Sequence, residues 1–135
     1  MAGAFAISRR ERMRKKSILL VEDEVLLCWI LEEALRACGY EVRTLTTGNA
    51  GLAALEETQD FDVLVTNIRL ADEPDGWALA RRARELRPAI GVLYVSGDSA
   101  AQHDEEGVEG SLMLGKPFQP DDICEAVASL LAKVD

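Results

Sequence analysis

Short apolar runs alternate with longer amphipathic segments along the chain. The short runs contain few polar positions, which is typical of strands that are buried on both faces. In the longer segments apolar residues recur every three or four positions, as on the buried face of a helix. The pattern predicts strands at 17–21, 40–45, 62–66, 90–95 and 111–114, and helices at 25–38, 49–58, 77–87 and 120–132.

This alternation of strand and helix indicates an α/β fold. Five strands separated by helical segments predict a parallel sheet with helices on both faces. The segment between the fourth and fifth strands is weaker, because residues 99–109 contain only one large apolar side chain, Val108. A helix there has little surface to bury, so we expect it to be short or partly melted.

Composition and charge narrow the possible functions. The 135 residues are 48% hydrophobic and 29% charged, which suits one globular domain with a buried core. The net charge is −9, and six of the 15 basic residues lie within residues 1–16. We expect residues 1–16 to be a mobile basic tail and residues 17–135 to form an acidic domain that repels nucleic acid. No apolar run is long enough to span a membrane and no export signal is present, so a cytoplasmic protein is predicted.

The three cysteines are Cys28, Cys38 and Cys124. The first two fall in one predicted helix, where ten residues separate their Cα atoms by about 15 Å. A disulfide requires a Cα separation below roughly 7 Å, so these two cannot pair within a helix. We expect all three to be buried thiols in a reducing cytoplasm.

Polar side chains follow four of the predicted strands. Glu22 and Asp23 come after the first strand, Asn67 after the third, Ser96 after the fourth and Lys116 after the fifth. The carboxyl ends of parallel strands meet at one edge of the sheet, where open α/β sheets bind their ligands. Adjacent carboxylates suit a hard cation such as Mg²⁺, and the hydroxyl and ammonium groups suit a phosphoryl group bound to it.

Four motifs in this order give the chain a family resemblance. They are ILLVEDE at 18–24, DVLVTNIRL at 62–70 with PDG at 74–76, VSGDS at 95–99 and KPF at 116–118. Over residues 17–133 the chain resembles the CheY-like receiver domains of bacterial response regulators. The resemblance implies a flavodoxin-like, doubly wound five-stranded sheet with strand order 2-1-3-4-5. It also implies a stand-alone receiver of a two-component phosphorelay, partnered by a histidine kinase or a histidine phosphotransfer protein.

The same resemblance implies roles for the residues at the sheet edge. Glu22, Asp23 and the backbone carbonyl of Arg69 correspond to the Mg²⁺ ligands, together with the residue at position 67. Ser96 and Lys116 correspond to the hydroxyl and the ammonium that bind the phosphoryl group. In most family members a cis peptide bond joins this lysine to the following proline, here Pro117.

Asn67 departs from the family pattern, because receivers carry the phosphate-accepting aspartate at this position. A carboxamide is neutral and a poor nucleophile, so we expect no acyl phosphate on this chain and no enzymatic activity; only Asn67→Asp should phosphorylate itself. Asn67 can still offer its carbonyl oxygen to a cation, although the lost charge is expected to weaken Mg²⁺ binding. Two explanations stay open: a natural pseudo-receiver acting as a protein-interaction adaptor, or an Asp→Asn substitution in an ordinary receiver. The retained Glu22, Asp23, Ser96 and Lys116 favour the second.

The first predicted helix carries more apolar residues than a core requires. Leu26 and Trp29 lie outside the stripe formed by Leu27, Ile30, Leu31, Ala34, Leu35 and Cys38. Exposed aliphatic and tryptophan side chains often mark a partner surface. In the family, a four-helix phosphotransfer domain docks on this helix and on the loop after the fifth strand, here Pro117 and Phe118. Met113 is also predicted to belong to the partner surface, because it occupies the position of a rotating aromatic switch in many receivers. A homodimer stays open as an alternative.

Overall fold

A computed structural model of the chain describes residues 15–58 and 60–134. Most of the predicted basic tail, residues 1–14, lies outside the described residues, so the division at residue 16 stays a prediction. The five strands form one parallel sheet in the order β2-β1-β3-β4-β5, which confirms the fold class and the strand order. They are β1 (Ser17–Val21), β2 (Glu41–Leu45), β3 (Val63–Asn67), β4 (Gly91–Ser96) and β5 (Leu112–Gly115).

The helices follow the predicted segments, with ends that differ by one or two residues. They are α1 (Val25–Ala37), α2 (Gly48–Glu57), α3 (Gly76–Leu86), α4 (His103–Glu106) and α5 (Pro120–Val134). A 3₁₀ turn, Ala100–Gln102, precedes α4, and neither of these elements contains a buried residue. The prediction of a short fourth helix is therefore confirmed, for the expected reason that its sequence offers no face to the core.

Local sequence explains where the longer helices begin and end. Gly39 follows α1 with a φ of 95°, a left-handed conformation that glycine adopts without strain. The Thr47 hydroxyl caps α2 by accepting the Ala50 N–H, and the Asp75 carboxylate caps α3 by accepting the Ala78 N–H. Each cap satisfies an amide that has no partner within its helix.

The core consists of two layers, one on each face of the sheet. Leu19, Leu64, Val92 and Tyr94 face the layer covered by α2 and α3. The opposite face is covered by α1 and α5 and includes these fully buried strand residues: Ile18, Leu20, Val63, Val65, Leu93 and Val95. Full burial of such a side chain contributes roughly 2 kcal/mol, so the two layers hold the sheet edge in a fixed geometry.

The expectation of three buried thiols is wrong for two of the cysteines. Cys38 directly follows α1 and is exposed, Cys124 lies half-buried on α5, and the two form a disulfide with a Cα separation of 6.6 Å. Cys28 is the buried free thiol that was expected. The partners are 86 residues apart in sequence, so only the packing of α1 against α5 reveals the pairing.

Asp72 fastens the loop between β3 and α3 to the first turn of α2. Its carboxylate accepts the Asn49 N–H at 3.0 Å and the Gly48 N–H at 2.6 Å. These two bonds, the one from Asn49 above all, hold the pKa of Asp72 below its ordinary value. A carboxyl whose folded pKa is lowered stabilises the fold above its unfolded pKa, and this contribution disappears as the pH falls through the folded pKa.

We therefore expect Asp72→Ala to lower the melting temperature at neutral pH. The melting temperatures of the variant and the unchanged protein should converge as the pH falls through the lowered pKa of Asp72, where its carboxylate takes up a proton. Thermal unfolding followed by circular dichroism across this range measures the effect. Glu33→Ala is the control, since Glu33 is an exposed acid on α1. A gap between Asp72→Ala and the unchanged protein that persists at acidic pH would contradict this account.

Candidate functional site

The strand order brings the predicted site residues to one edge of the sheet. Glu22 follows β1, Asn67 ends the neighbouring β3, Ser96 ends β4 and Lys116 follows β5. In the register of the sheet, Asn67 pairs with Val95, and Ser96 pairs with Gly115. The predicted convergence at the carboxyl edge is therefore found in the structure.

Glu22 is a completely buried carboxylate with partners on both oxygens. Its Oε1 accepts the Lys116 ammonium at 3.3 Å, and its Oε2 accepts the Glu24 N–H at 3.0 Å. Burial raises the pKa of Glu22 above its ordinary value, although the Glu24 N–H and the Lys116 charge act in the opposite direction. The Glu24 N–H and the Lys116 ammonium therefore both compensate the burial of this carboxylate.

Lys116→Met is expected to reduce the free energy of unfolding by about 2 kcal/mol, because it leaves the buried Glu22 without its ammonium. The loss should stay below that of a fully buried pair, since the Lys116 side chain is 24% exposed. Urea unfolding measures the change. Lys133→Met removes an exposed lysine of α5 and should have little effect. Equal effects of the two substitutions would show that the Lys116 pair does not stabilise the fold.

The side-chain amide of Asn67 lies with its nitrogen among the oxygens of the site. Nδ2 donates to the Arg69 carbonyl at 2.8 Å, to Asp23 Oδ1 at 3.3 Å and to Glu22 Oε2 at 3.4 Å. Oδ1 is turned away from these oxygens and accepts the Ile68 N–H at 3.0 Å. In this orientation Nδ2, and not the carbonyl oxygen, faces the other site oxygens, and the role of Asn67 toward a cation stays a prediction.

This orientation follows from the donors and acceptors around position 67. Three acceptors lie on one side of the amide, and one backbone donor, the Ile68 N–H, lies on the other. The carboxamide can donate to the three acceptors and accept the Ile68 N–H only when Nδ2 lies on the acceptor side. If the amide were turned over, Nδ2 would face the Ile68 N–H with two donors opposed, and the carbonyl oxygen would face three acceptors.

The residues that would hold Mg²⁺ lie together at this edge of the sheet, with the Asn67 amide among them. The cation would need oxygens from Glu22, Asp23 and Arg69, yet each of these already accepts a hydrogen bond from Asn67. Within residues 15–58 and 60–134, no group of three or more His, Cys, Asp or Glu side chains could hold a metal. The Asn67 Nδ2 atom lies between the oxygens of Glu22, Asp23 and Arg69 and donates hydrogen bonds to them.

Ser96 is buried and structurally engaged. Its Oγ accepts the Ser99 N–H at 2.8 Å and the Asp98 N–H at 3.2 Å, which closes the loop that follows β4. Its backbone carbonyl accepts the Lys116 N–H at 2.8 Å. The Lys116–Pro117 peptide bond is cis, as the family resemblance implied.

Comparison with known proteins identifies the family. The model of the response regulator receiver domain matches residues 18–128. The chain belongs to this family. The receiver is 32% identical over 118 residues to the response regulator receiver protein CpdR of Brucella abortus, covering 86% of the chain and 97% of CpdR. It is 33% identical over 120 residues to the transcriptional regulatory protein ZraR of Salmonella typhimurium, covering 87% of the chain but only 27% of ZraR.

Solved structures agree with this assignment. The receiver superposes with a TM-score of 0.88 on the crystal structure of a response regulator receiver protein from Sinorhizobium medicae, with 34% identity over 91% of the chain and 99% of that protein. The receiver domain of a sensor histidine kinase from Pseudomonas aeruginosa shares the fold, with a TM-score of 0.76, 22% identity and coverage of 88% and 99%. That structure is described with a magnesium ion in its active-site cleft. Receivers act in two-component signalling, bind Mg²⁺ and partner histidine kinases or phosphotransfer proteins.

The exposed apolar side chains of the receiver lie together on α1. We call Val25, Leu26, Trp29 and Ile30 the α1 patch; they are 74%, 65%, 62% and 38% exposed. The exposure of Leu26 and Trp29 was predicted, whereas Ile30 was assigned to the core. Among the described residues, no helix is long and apolar enough to cross a membrane.

The other residues predicted for the partner surface separate into two groups. Pro117 is exposed, and Phe118 packs against the core layer beneath α1 and α5. Met113 packs against the opposite layer, beneath α2 and α3, so it does not share a face with the α1 patch. Successive residues of a strand point to opposite faces of the sheet, so the Met113 side chain points away from the face that Leu112 and Leu114 share.

Two features of the site escaped sequence analysis. Cys28 lies directly behind Glu22, with its Sγ 2.7 Å from the Glu22 carbonyl oxygen, and burial raises the pKa of the thiol to about 11. The Arg69 guanidinium reaches across the edge to Asp98 at 3.1 Å and links the loops after β3 and β4. No local pattern in the sequence indicates the contact between the Arg69 guanidinium and Asp98.

Proposed function

We propose that this chain is a stand-alone receiver that works through protein contacts with a histidine kinase or phosphotransfer protein and does not accept a phosphoryl group. The orientation of Asn67 carries the proposal. Its nitrogen, and not an anionic oxygen, faces the Glu22, Asp23 and Arg69 oxygens. The similarity to CpdR, which is named a receiver protein and is covered over 97% of its length, supports the receiver part of the proposal.

The chemistry of the amide explains why Asn67 is not expected to accept a phosphoryl group. Attack on phosphorus requires electron density on an oxygen that points toward the pocket. In Asn67 the only side-chain oxygen accepts the Ile68 N–H, and the nitrogen lone pair is delocalised into the carbonyl. The chain is therefore proposed not to be an enzyme, and only Asn67→Asp is expected to phosphorylate itself.

The same arrangement supports weakened Mg²⁺ binding in this receiver. A cation would have to displace the Asn67 amide from three oxygens and would meet two carboxylates where receivers present three. Lys116 already compensates the charge of Glu22. The hydrogen bonds of Asn67 therefore satisfy the oxygens of the pocket without a bound cation.

The α1 patch is the proposed docking surface for the partner, with Pro117 and Phe118 beside it. Three of its four side chains are more than 60% exposed, and tryptophan is enriched among residues that dominate binding energy. Such a surface suits the apolar face of a helical phosphotransfer domain or of a kinase dimerisation helix pair. These partners are cytoplasmic, and we propose that the receiver works there; a homodimer stays a prediction.

Binding measurements on purified domains test this proposal. A panel of histidine-containing phosphotransfer and kinase dimerisation domains is immobilised, and the receiver is titrated by biolayer interferometry. We expect at least one domain to bind, with an affinity that does not change when Mg²⁺ and a small acyl phosphate are added. Trp29→Ser should weaken binding by roughly tenfold or more. Gln102→Ser, an exposed substitution outside the patch, is the control. Binding that requires the acyl phosphate, or that survives Trp29→Ser unchanged, would refute the proposal.

A further inference from the structure

The disulfide between Cys38 and Cys124 joins two helices that side-chain packing already holds together. Leu31 and Leu35 of α1 and Ile123 of α5 belong to one buried cluster. The bond is added at the end of α1, where Cys38 is the residue that directly follows the helix. Its removal therefore leaves the core contacts between the two helices in place.

The two sulfur environments in this chain differ in access to solvent. Cys38 is exposed and Cys124 is half-buried, so a small thiol can reach the disulfide from the Cys38 side. Cys28 is only 6% exposed, and its Sγ contacts the Glu22 carbonyl oxygen. The chain therefore has one disulfide that small thiols in solution can reach and one buried free thiol.

We propose that Cys38 and Cys124 form a reversible redox site that exchanges with low-molecular-weight thiols and disulfides and that, when oxidised, ties α1 to α5. An exposed disulfide in a compartment that contains such thiols is subject to exchange. This step does not involve Asn67 or the phosphoryl chemistry, so it holds whether or not the proposed function does.

Reduction of the disulfide takes two successive thiol exchanges. A small thiolate attacks the exposed Cys38 sulfur, the disulfide bond breaks, and the Cys124 thiolate leaves and takes up a proton. A second small thiol then attacks the mixed disulfide on Cys38, which releases the small disulfide and the Cys38 thiol. Two electrons pass from two small thiols to the protein disulfide, and the reverse sequence oxidises the pair at the expense of a small disulfide.

The oxidised and reduced forms should differ in the freedom of α1. With the bond present, the C-terminal end of the helix is covalently fixed to α5; without it, that end is held by packing alone. Because the α1 patch lies on the same helix, oxidation holds that surface in one position relative to α5. Helix α3 covers the opposite face of the sheet and has no covalent link to another helix.

Equilibration with glutathione tests the redox site on the full chain. The protein is incubated at a series of ratios of reduced to oxidised glutathione, trapped with a maleimide in denaturant, and analysed by intact mass. We expect one maleimide per chain, on Cys28, at the oxidising end and three at the reducing end. Failure to form the disulfide at any ratio, or a disulfide that persists in excess reduced glutathione, would overturn the proposal.

Two cysteine variants test which thiols take part in the exchange. Cys28→Ser should retain the full redox response, because the buried thiol takes no part in the exchange. Cys124→Ser should instead take up one glutathione on Cys38 under oxidising conditions. A glutathione adduct on Cys28 in the folded protein would contradict the assignment of the exposed pair as the redox site.

Hydrogen exchange tests the structural consequence. On reduction, amides in the last turns of α1 that exchange through local opening should exchange roughly tenfold faster, whereas amides of α3 that exchange through local opening should keep their rates. Cys124→Ser should show the fast α1 exchange at every glutathione ratio. Equal acceleration of α1 and α3 on reduction would show that the bond does not act locally on α1.

Discussion

Replacing Asn67 with aspartate is expected to raise the Mg²⁺ affinity of the receiver by at least about tenfold. The substitution changes a donor nitrogen, now 3.3 Å from Asp23 and 3.4 Å from Glu22, into an acceptor oxygen. The other carboxylate oxygen can keep the bond from the Ile68 N–H, so the new side chain fits the same position. The pocket then presents three carboxylates with no amide hydrogen among them.

The magnitude follows from elementary electrostatics. Two unit charges 4 Å apart interact by roughly 4 kcal/mol at an effective dielectric constant near 20, and a tenfold change in affinity requires only about 1.4 kcal/mol. Added repulsion among three carboxylates in the metal-free pocket should increase the gain further. Bound Mg²⁺ should therefore also raise the melting temperature of the Asn67→Asp variant more than that of the unchanged receiver.

Isothermal titration with MgCl₂ measures this effect, with Asn49→Asp as the matched control. Asn49 is an exposed asparagine at the start of α2, so its replacement adds the same charge away from the pocket. Only Asn67→Asp should show the gain. Equal affinities of the unchanged receiver and Asn67→Asp, or an equal gain for Asn49→Asp, would show that the Asn67 amide does not control cation binding.

Reducing the disulfide is expected to lower the free energy of unfolding by about 4 kcal/mol, the largest stability change predicted for this chain. Cys38 and Cys124 are 86 residues apart, so the bond restricts a long segment of the unfolded chain. The loss of conformational entropy in the unfolded state grows with the length of the closed loop. The core contacts between α1 and α5 remain, and the reduced protein should still fold.

Urea unfolding with and without a reductant measures this change. Cys28→Ser should lose the same free energy on reduction as the unchanged protein, because its disulfide is intact. Cys124→Ser should resemble the reduced protein and should not respond to the reductant. A reductant that shifts the unfolding midpoint of Cys124→Ser as far as that of the unchanged protein would contradict the assignment of the effect to this bond.

The fold could be predicted because its signals are local and agree with one another. Strands such as β3 read as unbroken apolar runs, and amphipathic helices separate them, which leaves a parallel two-layered arrangement as the consistent solution. Even the weak α4 was apparent from a single large apolar residue, Val108. The convergence of Glu22, Asn67, Ser96 and Lys116 followed in turn, since the carboxyl ends of parallel strands share one edge.

The features that escaped prediction depend on contacts between distant parts of the chain. The orientation of the Asn67 amide is decided by acceptors that follow β1 and by backbone groups that follow β3, which no local pattern contains. The disulfide depends on how α1 packs against α5. Met113 lies beneath α2 and α3, as strand alternation requires, and its part in a partner surface stays a prediction.

The most direct test of the central claim is the intact mass after incubation with Mg²⁺ and a small acyl phosphate, for the unchanged receiver and for Asn67→Asp in parallel. The account predicts that the unchanged chain keeps its mass. Asn67→Asp should gain one labile phosphoryl group, because Glu22, Asp23, Ser96 and Lys116 remain in place around it. A phosphoryl group on the unchanged chain that maps to the Asn67 pocket would contradict the account.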